Sequence, residues 1–289
     1  MRVLPKSSTV PLLELDPDLA ERVPVGAREE ALRLTRARLL TLRRGELRVD
    51  ELRGEHAALR GLLLLEGLLA RSVRIGDTTS LQLLARGELV EVAGGPLASQ
   101  LIPMETTWTV LEPVAAAAID DDFLHETLRW PALAAALFER ATAQSARAAA
   151  RCAISQLPRV EDRVETLLWF LAERLGRIAR DGVVVPLRLT HETIGQMIGA
   201  KRPTVSLALK ALERDGAVER RDDGAWLLRR APVPLTALEE EPGGGVRWAV
   251  SPADPVGDGA APTQSRVSRL AGSGKAPNGR HQAAAAARR

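Results

Sequence analysis

The stretch 189–218, LTHETIGQMIGAKRPTVSLALKALERDGAV, constrains the chain more than any other. Thr190 can N-cap a first helix with Glu192 in its first turn, and Ile194, Met197 and Ile198 fall on one face. Gly195 stands where a small residue lets a crossing helix approach closely. Gly199 can take the positive φ of a sharp corner. A second helix starts at about Arg202-Pro203, where a missing N–H costs nothing. Its buried stripe is Val205, Ala208, Leu209 and Leu212, which leaves Arg202, Thr204, Ser206, Leu207 and Lys210 outward or flanking; Gly216 closes it. Two short helices about one corner form a helix-turn-helix, whose second helix enters a DNA major groove. Downstream, AVERRDDGAWLLRR reads as two strands around an Asp-Gly turn, a wing with Arg220, Arg221, Arg229 and Arg230 on and around it. A merely structural helical hairpin explains the apolar stripes but neither the outward Arg, Thr, Ser and Lys nor the basic hairpin.

Upstream, Val164, Leu167, Leu168, Leu171, Leu175 and Ile178 make the stripe of an amphipathic helix, and Asp181-Gly182 then turns the chain. Between Pro131 and Pro158 lies a run of strong helix formers without interior Gly or Pro, about seven turns long. Leu133, Leu137, Ala141, Gln144 and Ala148 repeat along it at alternating four- and three-residue spacing, followed by Arg151, a seam expected to dimerise the chain; packing on its own domain is the alternative. Asp120-Asp121-Asp122 precede FLHETLRW as helix caps rather than as a catalytic cluster.

The N-terminal segment differs in character. Asp16-Pro17 opens a short helix ending before Pro24. Up to about residue 119 the apolar runs are short (Leu39-Leu40, Leu62 to Leu65, Leu68-Leu69, Val73/Ile75, Leu81 to Leu84, Val90/Val92) and are punctuated by glycines. Short antiparallel strands joined by Gly-bearing turns are expected, as a sandwich or roll. Arg-Gly-Glu-Leu occurs at 44–47 and 86–89, by chance or at equivalent turns.

The chain has 289 residues, enough for about two domains. Forty Lys+Arg against 37 Asp+Glu give +3, so a nucleic-acid site has to come from local clustering. One cysteine, Cys152, excludes an intrachain disulfide framework, a multi-cysteine zinc site and a four-cysteine iron–sulfur cluster. The N-terminus lacks a continuous apolar run, and Leu62 to Leu69 is interrupted by Glu66 and Gly67, so a soluble cytoplasmic protein without membrane spans is expected. Residues 259–289 hold six Lys+Arg and no acid, the composition of a disordered basic tail, either adding DNA affinity or merely solubilising.

The stretch THETIGQMIGAKRPTVSLALKALERDGAV resembles the winged helix-turn-helix of the Crp/Fnr transcription regulators. R-x-E-T-L-L-x-x-L at 163–171 resembles that family's linking helix, and 131–157 occupy the place of its dimer helix. GELRVDELRGEH at 45–56, LLLLEG at 62–67 and LLARGELV at 83–90 resemble, more loosely, the spaced glycines of its cyclic-nucleotide-binding-like β-roll. The resemblance implies an α+β chain with an antiparallel β-roll at 1–130, a dimerisation helix at 131–157, a winged helix-turn-helix at 158–232 and the tail at 233–289. It implies Arg202 at a guanine and Thr204 at a phosphate; Ser206 and Leu207 are read beside them as further base contacts, and Thr190, Lys201, Lys210, Arg220 and Arg221 as contacts to the DNA backbone. Pro203 and Leu207 replace the family's Glu and second Arg, so a changed operator is expected. Implied partners are double-stranded DNA, a second copy of the chain and RNA polymerase. The effector is left open, with no cofactor, metal or catalysis.

Residues 87–128, where the resemblance implies the Arg that holds a cyclic phosphate, contain no Arg or Lys. Cyclic-AMP control in the family's manner is therefore not expected. Haem sensing is not expected either, with His56 and His125 read as surface or cap residues. Two other classes remain: a cupin-like metalloenzyme with a helical appendage, for which only His56 lies in the roll, and a ligand-binding adaptor whose winged domain binds protein.

Overall fold

The computed structural model describes residues 9–92 and 102–230, together with two short strands at 238–240 and 246–248. In chain order the first elements are β1 (Thr9–Pro11), α1 (Leu12–Leu15), α2 (Pro17–Arg22), α3 (Val25–Leu34), β2 (Arg36–Leu42), β3 (Gly45–Leu47) and α4 (Val49–Glu55). There follow β4 (Leu59–Ile75), β5 (Thr78–Leu84), β6 (Leu89–Glu91), β7 (Glu105–Asp120) and α5 (Asp121–Thr127). The second half holds α6 (Pro131–Ser155), α7 (Val160–Leu175), β8 (Arg177–Ala179), β9 (Gly182–Val185), α8 (His191–Ile198), α9 (Arg202–Arg214), β10 (Val218–Arg220), β11 (Trp226–Leu228), β12 (Leu238–Glu240) and β13 (Val246–Trp248). The residues expected to form a tail lie outside the described residues, apart from β12 and β13, which pair antiparallel.

A seven-stranded antiparallel sheet in the order β1-β2-β7-β4-β5, with β3 on β7 and β6 on β4, forms the N-terminal roll. The expected short strands merge here. Leu62 to Leu65, Leu68-Leu69 and Val73/Ile75 all belong to the single 17-residue strand β4. Gly67 sits inside it rather than in a turn, at φ +90°, between register shifts that bend the strand. A Cβ there would lie 2.1 Å from the Pro113 carbonyl oxygen, so only glycine lets β4 and β7 approach at the bend. Two helices, α3 and α4, also interrupt the segment read as strands, and Gly54 falls in α4.

Asp16 occupies the N-cap position of α2, yet it makes no capping bond. Its buried carboxylate instead accepts two bonds from Arg140 of α6, at 2.6 and 2.8 Å, and so ties the first helices to the long one. Asp120 does cap, accepting from the Phe123 N–H at 3.0 Å, and it also pairs with Arg38 at 2.6 Å. Arg38 in turn meets Nδ1 of His56 at 3.0 Å. The two Arg-Gly-Glu-Leu copies share a positive-φ glycine at a short strand, Gly45 opening β3 and Gly87 preceding β6, but Glu46 is exposed whereas Glu88 is buried.

α7 buries Val164, Leu167, Leu168 and Leu171 as its stripe requires, but it ends at Leu175 and not beyond. Gly176 is clamped there, since a Cβ would lie 2.3 Å from the Ala172 carbonyl oxygen and 2.8 Å from Val183. Ile178 consequently falls in β8 and is exposed. The winged domain and the roll share one apolar cluster, in which Leu68, Ala70, Leu81, Leu83 and Ala85 of the roll join α7, α8 and α9.

Candidate nucleic-acid interface

The helix-turn-helix closes as its residues require. Thr190 accepts from the Thr193 N–H at 3.0 Å and caps α8. Gly199 ends α8 in the left-handed region at φ +68°. Gly195 is packed against the corner itself, where a Cβ would lie 2.3 Å from the Ala200 carbonyl oxygen. Ile194, Met197, Ile198, Val205, Ala208, Leu209 and Leu212 are buried together against α7 and β11. Burying these apolar faces fixes the direction in which the polar face of α9 points.

That face carries Arg202, Thr204, Leu207 and Lys210, all exposed, with Lys201 exposed at the N-cap position. No side chain caps the start of α9, and its first turn holds no acidic residue, so its N–H groups and positive dipole end are open to an anion. Leu207 is 68% exposed, a large apolar side chain at a position facing away from the core. Ser206 is half-buried on the same helix, and its hydroxyl donates to the Arg202 carbonyl at 3.0 Å and faces Nδ1 of His191 at 2.8 Å, linking α9 to α8. With the hydroxyl hydrogen spent on Arg202, Nδ1 is the donating nitrogen of His191.

The wing is built on a four-stranded antiparallel sheet in the order β10-β11-β9-β8. β9, just after the Asp181-Gly182 turn, pairs with β11 through Val185↔Trp226. The β10–β11 turn is closed by the Arg221 N–H to the Ala225 carbonyl at 2.9 Å, with Gly224 at φ +84°. Arg220 stacks on Trp226, 5.1 Å from its ring centre, while Arg221 is exposed at the turn. Arg229 is neutralised by Glu219, so the basic edge of the wing rests on Arg220 and Arg221.

Thr190, His191, Glu192, Arg202 and Arg220 line one open cleft of about 390 Å³. α8, α9 and the wing thus bring two guanidiniums and a helix N-terminus to the same concavity. Burial, reinforced by Arg220 and Arg202 and opposed by Glu213, lowers the His191 pKa below its ordinary value of 6.5. Sequence reading missed this histidine because its relation to Ser206, fifteen residues away, appears only when the two helices cross.

The seam expected at a dimer interface turns inward. Leu133 and Leu137 pack in the cluster beneath α1 and α2, and Gln144 clasps the backbone of Leu89 with two 3.0 Å bonds. Ala148 is half-buried, and Ala141 remains exposed. The more apolar stripe of α6 serves the chain's own core. The stripe beside it, which shares Ala141 with the seam and runs through Ala134, Phe138, Ser145, Ala149 and Cys152, is exposed, with Phe138 at 70%. Among the described residues no group of three or more His, Cys, Asp or Glu is placed to hold a metal, and no helix is long and apolar enough to cross a membrane.

A roll, a long connecting helix and a winged helix-turn-helix with an exposed basic recognition face define a DNA-binding transcription regulator. Residues 162–231 match the Crp-like helix-turn-helix domain. The chain is 32% identical over 166 residues to the regulatory protein CysR of Synechococcus elongatus, covering 55% of this chain and 70% of that protein. The chain belongs to the Crp/Fnr family. Its fold is shared by a CooA mutant from Carboxydothermus hydrogenoformans (TM-score 0.54, 16% identity, 79% of this chain and 94% of that one). It is shared also by a cyclic nucleotide-binding domain containing protein from Listeria monocytogenes EGD-e (TM-score 0.55, 17% identity, 75% of this chain and 98% of that one).

Proposed function

We propose that the chain acts as a homodimer that reads a pseudo-palindromic operator, with Arg202 at a guanine and Leu207 against a thymine methyl in each half-site. The observation that carries this reading is the shared cleft of Arg202, Arg220 and the α8 N-terminus, with Thr204 and Leu207 exposed on the same helix. Thr190, Lys201, Thr204, Lys210, Arg220 and Arg221 would set the register through phosphates. Ser206 would act through its link to His191 rather than at a base edge.

The second copy would pair along Ala134, Phe138, Ala141, Ser145, Ala149 and Cys152 of α6, where alanines let two helices approach and Phe138 supplies apolar area. Two-fold pairing would present two α9 helices about one DNA turn, roughly 34 Å, apart. Control is independent of cyclic AMP, because residues 87–128 supply no cation for its phosphate. RNA polymerase is the expected contact once the chain sits on DNA. Selection of bound sites from random and genomic DNA at several salt concentrations tests the reading. A palindromic motif with a steep salt slope is expected, whereas uniform binding to all sequences would overturn it.

A further inference from the structure

The turn between β5 and β6 carries Glu88 into the interior, where its side chain is 2% exposed. Three arginines from two other elements surround it. Arg174 of α7 lies 2.7 Å from one carboxylate oxygen, and Arg147 of α6 lies 3.4 Å from the other. Arg151, one turn further along α6, lines the same cavity. The Ala85 N–H also donates to Glu88 at 2.8 Å. One carboxylate thus faces three guanidiniums, and the cluster carries two positive charges in excess.

The donors are not all used. Nε and Nη1 of Arg151 and Nε of Arg147 are buried without a hydrogen-bond partner among the described residues. Burial lowers the Arg151 pKa below its ordinary value, with Arg71 adding to the effect and Cys152 and Glu88 opposing it. A buried charged donor without an acceptor is unfavourable, and an anion relieves both the missing bond and the excess charge.

The cavity has a volume of about 30 Å³ and is lined by Gln82, Glu88, Arg147, Arg151, Arg174 and Met197 among others. Pockets for drug-sized organic ligands run from about 300 Å³ upward, whereas one water needs roughly 10–15 Å³, so this space suits only a few atoms. We infer that it binds a small tetrahedral oxyanion of the sulfate or phosphate class, held by Arg147, Arg151 and Arg174. Guanidinium forks match the paired oxygens of such an ion, and a dianion cancels the excess charge. Glu88 keeps Arg174 in place and leaves Arg151 to the ligand. Because the cavity joins Gln82 and Glu88 of the roll to α6, α7 and Met197 of α8, the bound ion strengthens the packing of the winged domain on the roll.

Isothermal titration of the full chain with sodium sulfate, and separately with sodium phosphate, tests this without DNA and independently of the operator reading. Sodium chloride at matched ionic strength is the control. Saturable binding of at least one oxyanion is expected, and the two arms decide which. Arg151→Gln should weaken it about tenfold or more, while Arg129→Gln, on the exposed end of the α5 region, leaves it unchanged. No saturable heat from either oxyanion in the unaltered chain overturns the inference, as does equal affinity in the Arg151→Gln chain. If Arg151→Gln fails to fold, Arg147→Gln takes its place in the same comparison.

Discussion

At the residue scale, Arg202 is the position on which the proposed base discrimination turns. It is exposed on the first turn of α9, so Arg202→Ala should leave the melting temperature nearly unchanged and cost about 1–3 kcal/mol at one base of each half-site. Competition binding against operators varied at single bases checks this; equal weakening on every sequence would assign Arg202 to a phosphate. His191 has a depressed pKa, caused first by burial, then by Arg220 and Arg202, with Glu213 opposing. Around its ordinary value of 6.5 the unfolded chain therefore holds more protons than the folded one. The resulting contribution to stability is present above that pH and is lost as pH falls through it. On the proposed reading, DNA phosphates beside Arg220 would favour the imidazolium, so binding would take up a proton and tighten from about pH 8 to about pH 6. Affinities at constant ionic strength should show this trend, and His191→Gln should flatten it.

At the scale of elements, the clearest liabilities are close backbone approaches. Gly195→Ala places a methyl 2.3 Å from the Ala200 carbonyl oxygen at the helix-turn-helix corner, and something must shift. The expected cost is about 1–3 kcal/mol by thermal melting, with specific DNA binding reduced as α9 is displaced. Gly67→Ala meets the Pro113 carbonyl oxygen at 2.1 Å and must also hold φ at +90°, so it should destabilise the roll by at least as much. The helix-turn-helix was legible because its stripes, cap and corner all act within about thirty residues. The roll was legible only in outline, since β4 runs through a glycine that sequence alone reads as a turn. Whether Gly67 bends a strand or ends it depends on Pro113 opposite, which is remote in the chain.

At the scale of the whole molecule, the face of α6 left uncovered sets the expected assembly. Phe138→Glu should convert a dimer to monomers by sedimentation while the single-chain fold persists, because Phe138 is 70% exposed within one chain. A thiol-reactive bismaleimide should link two chains through Cys152, the exposed cysteine on the same stripe; a sedimenting dimer that fails to cross-link would place the interface elsewhere. The sequence by itself determined the winged helix-turn-helix, the length of α6 and the outward set Arg202, Thr204 and Leu207, because helical periodicity and local capping specify these. Tertiary structure decided which stripe of α6 faces inward, where Asp16 sends its carboxylate, and that Ser206 pairs with His191. It also decided that roll and winged domain share one core and gather three arginines around Glu88. Those outcomes depend on residues far apart in sequence competing to bury apolar area and satisfy buried charge, and that competition is settled only when the elements pack.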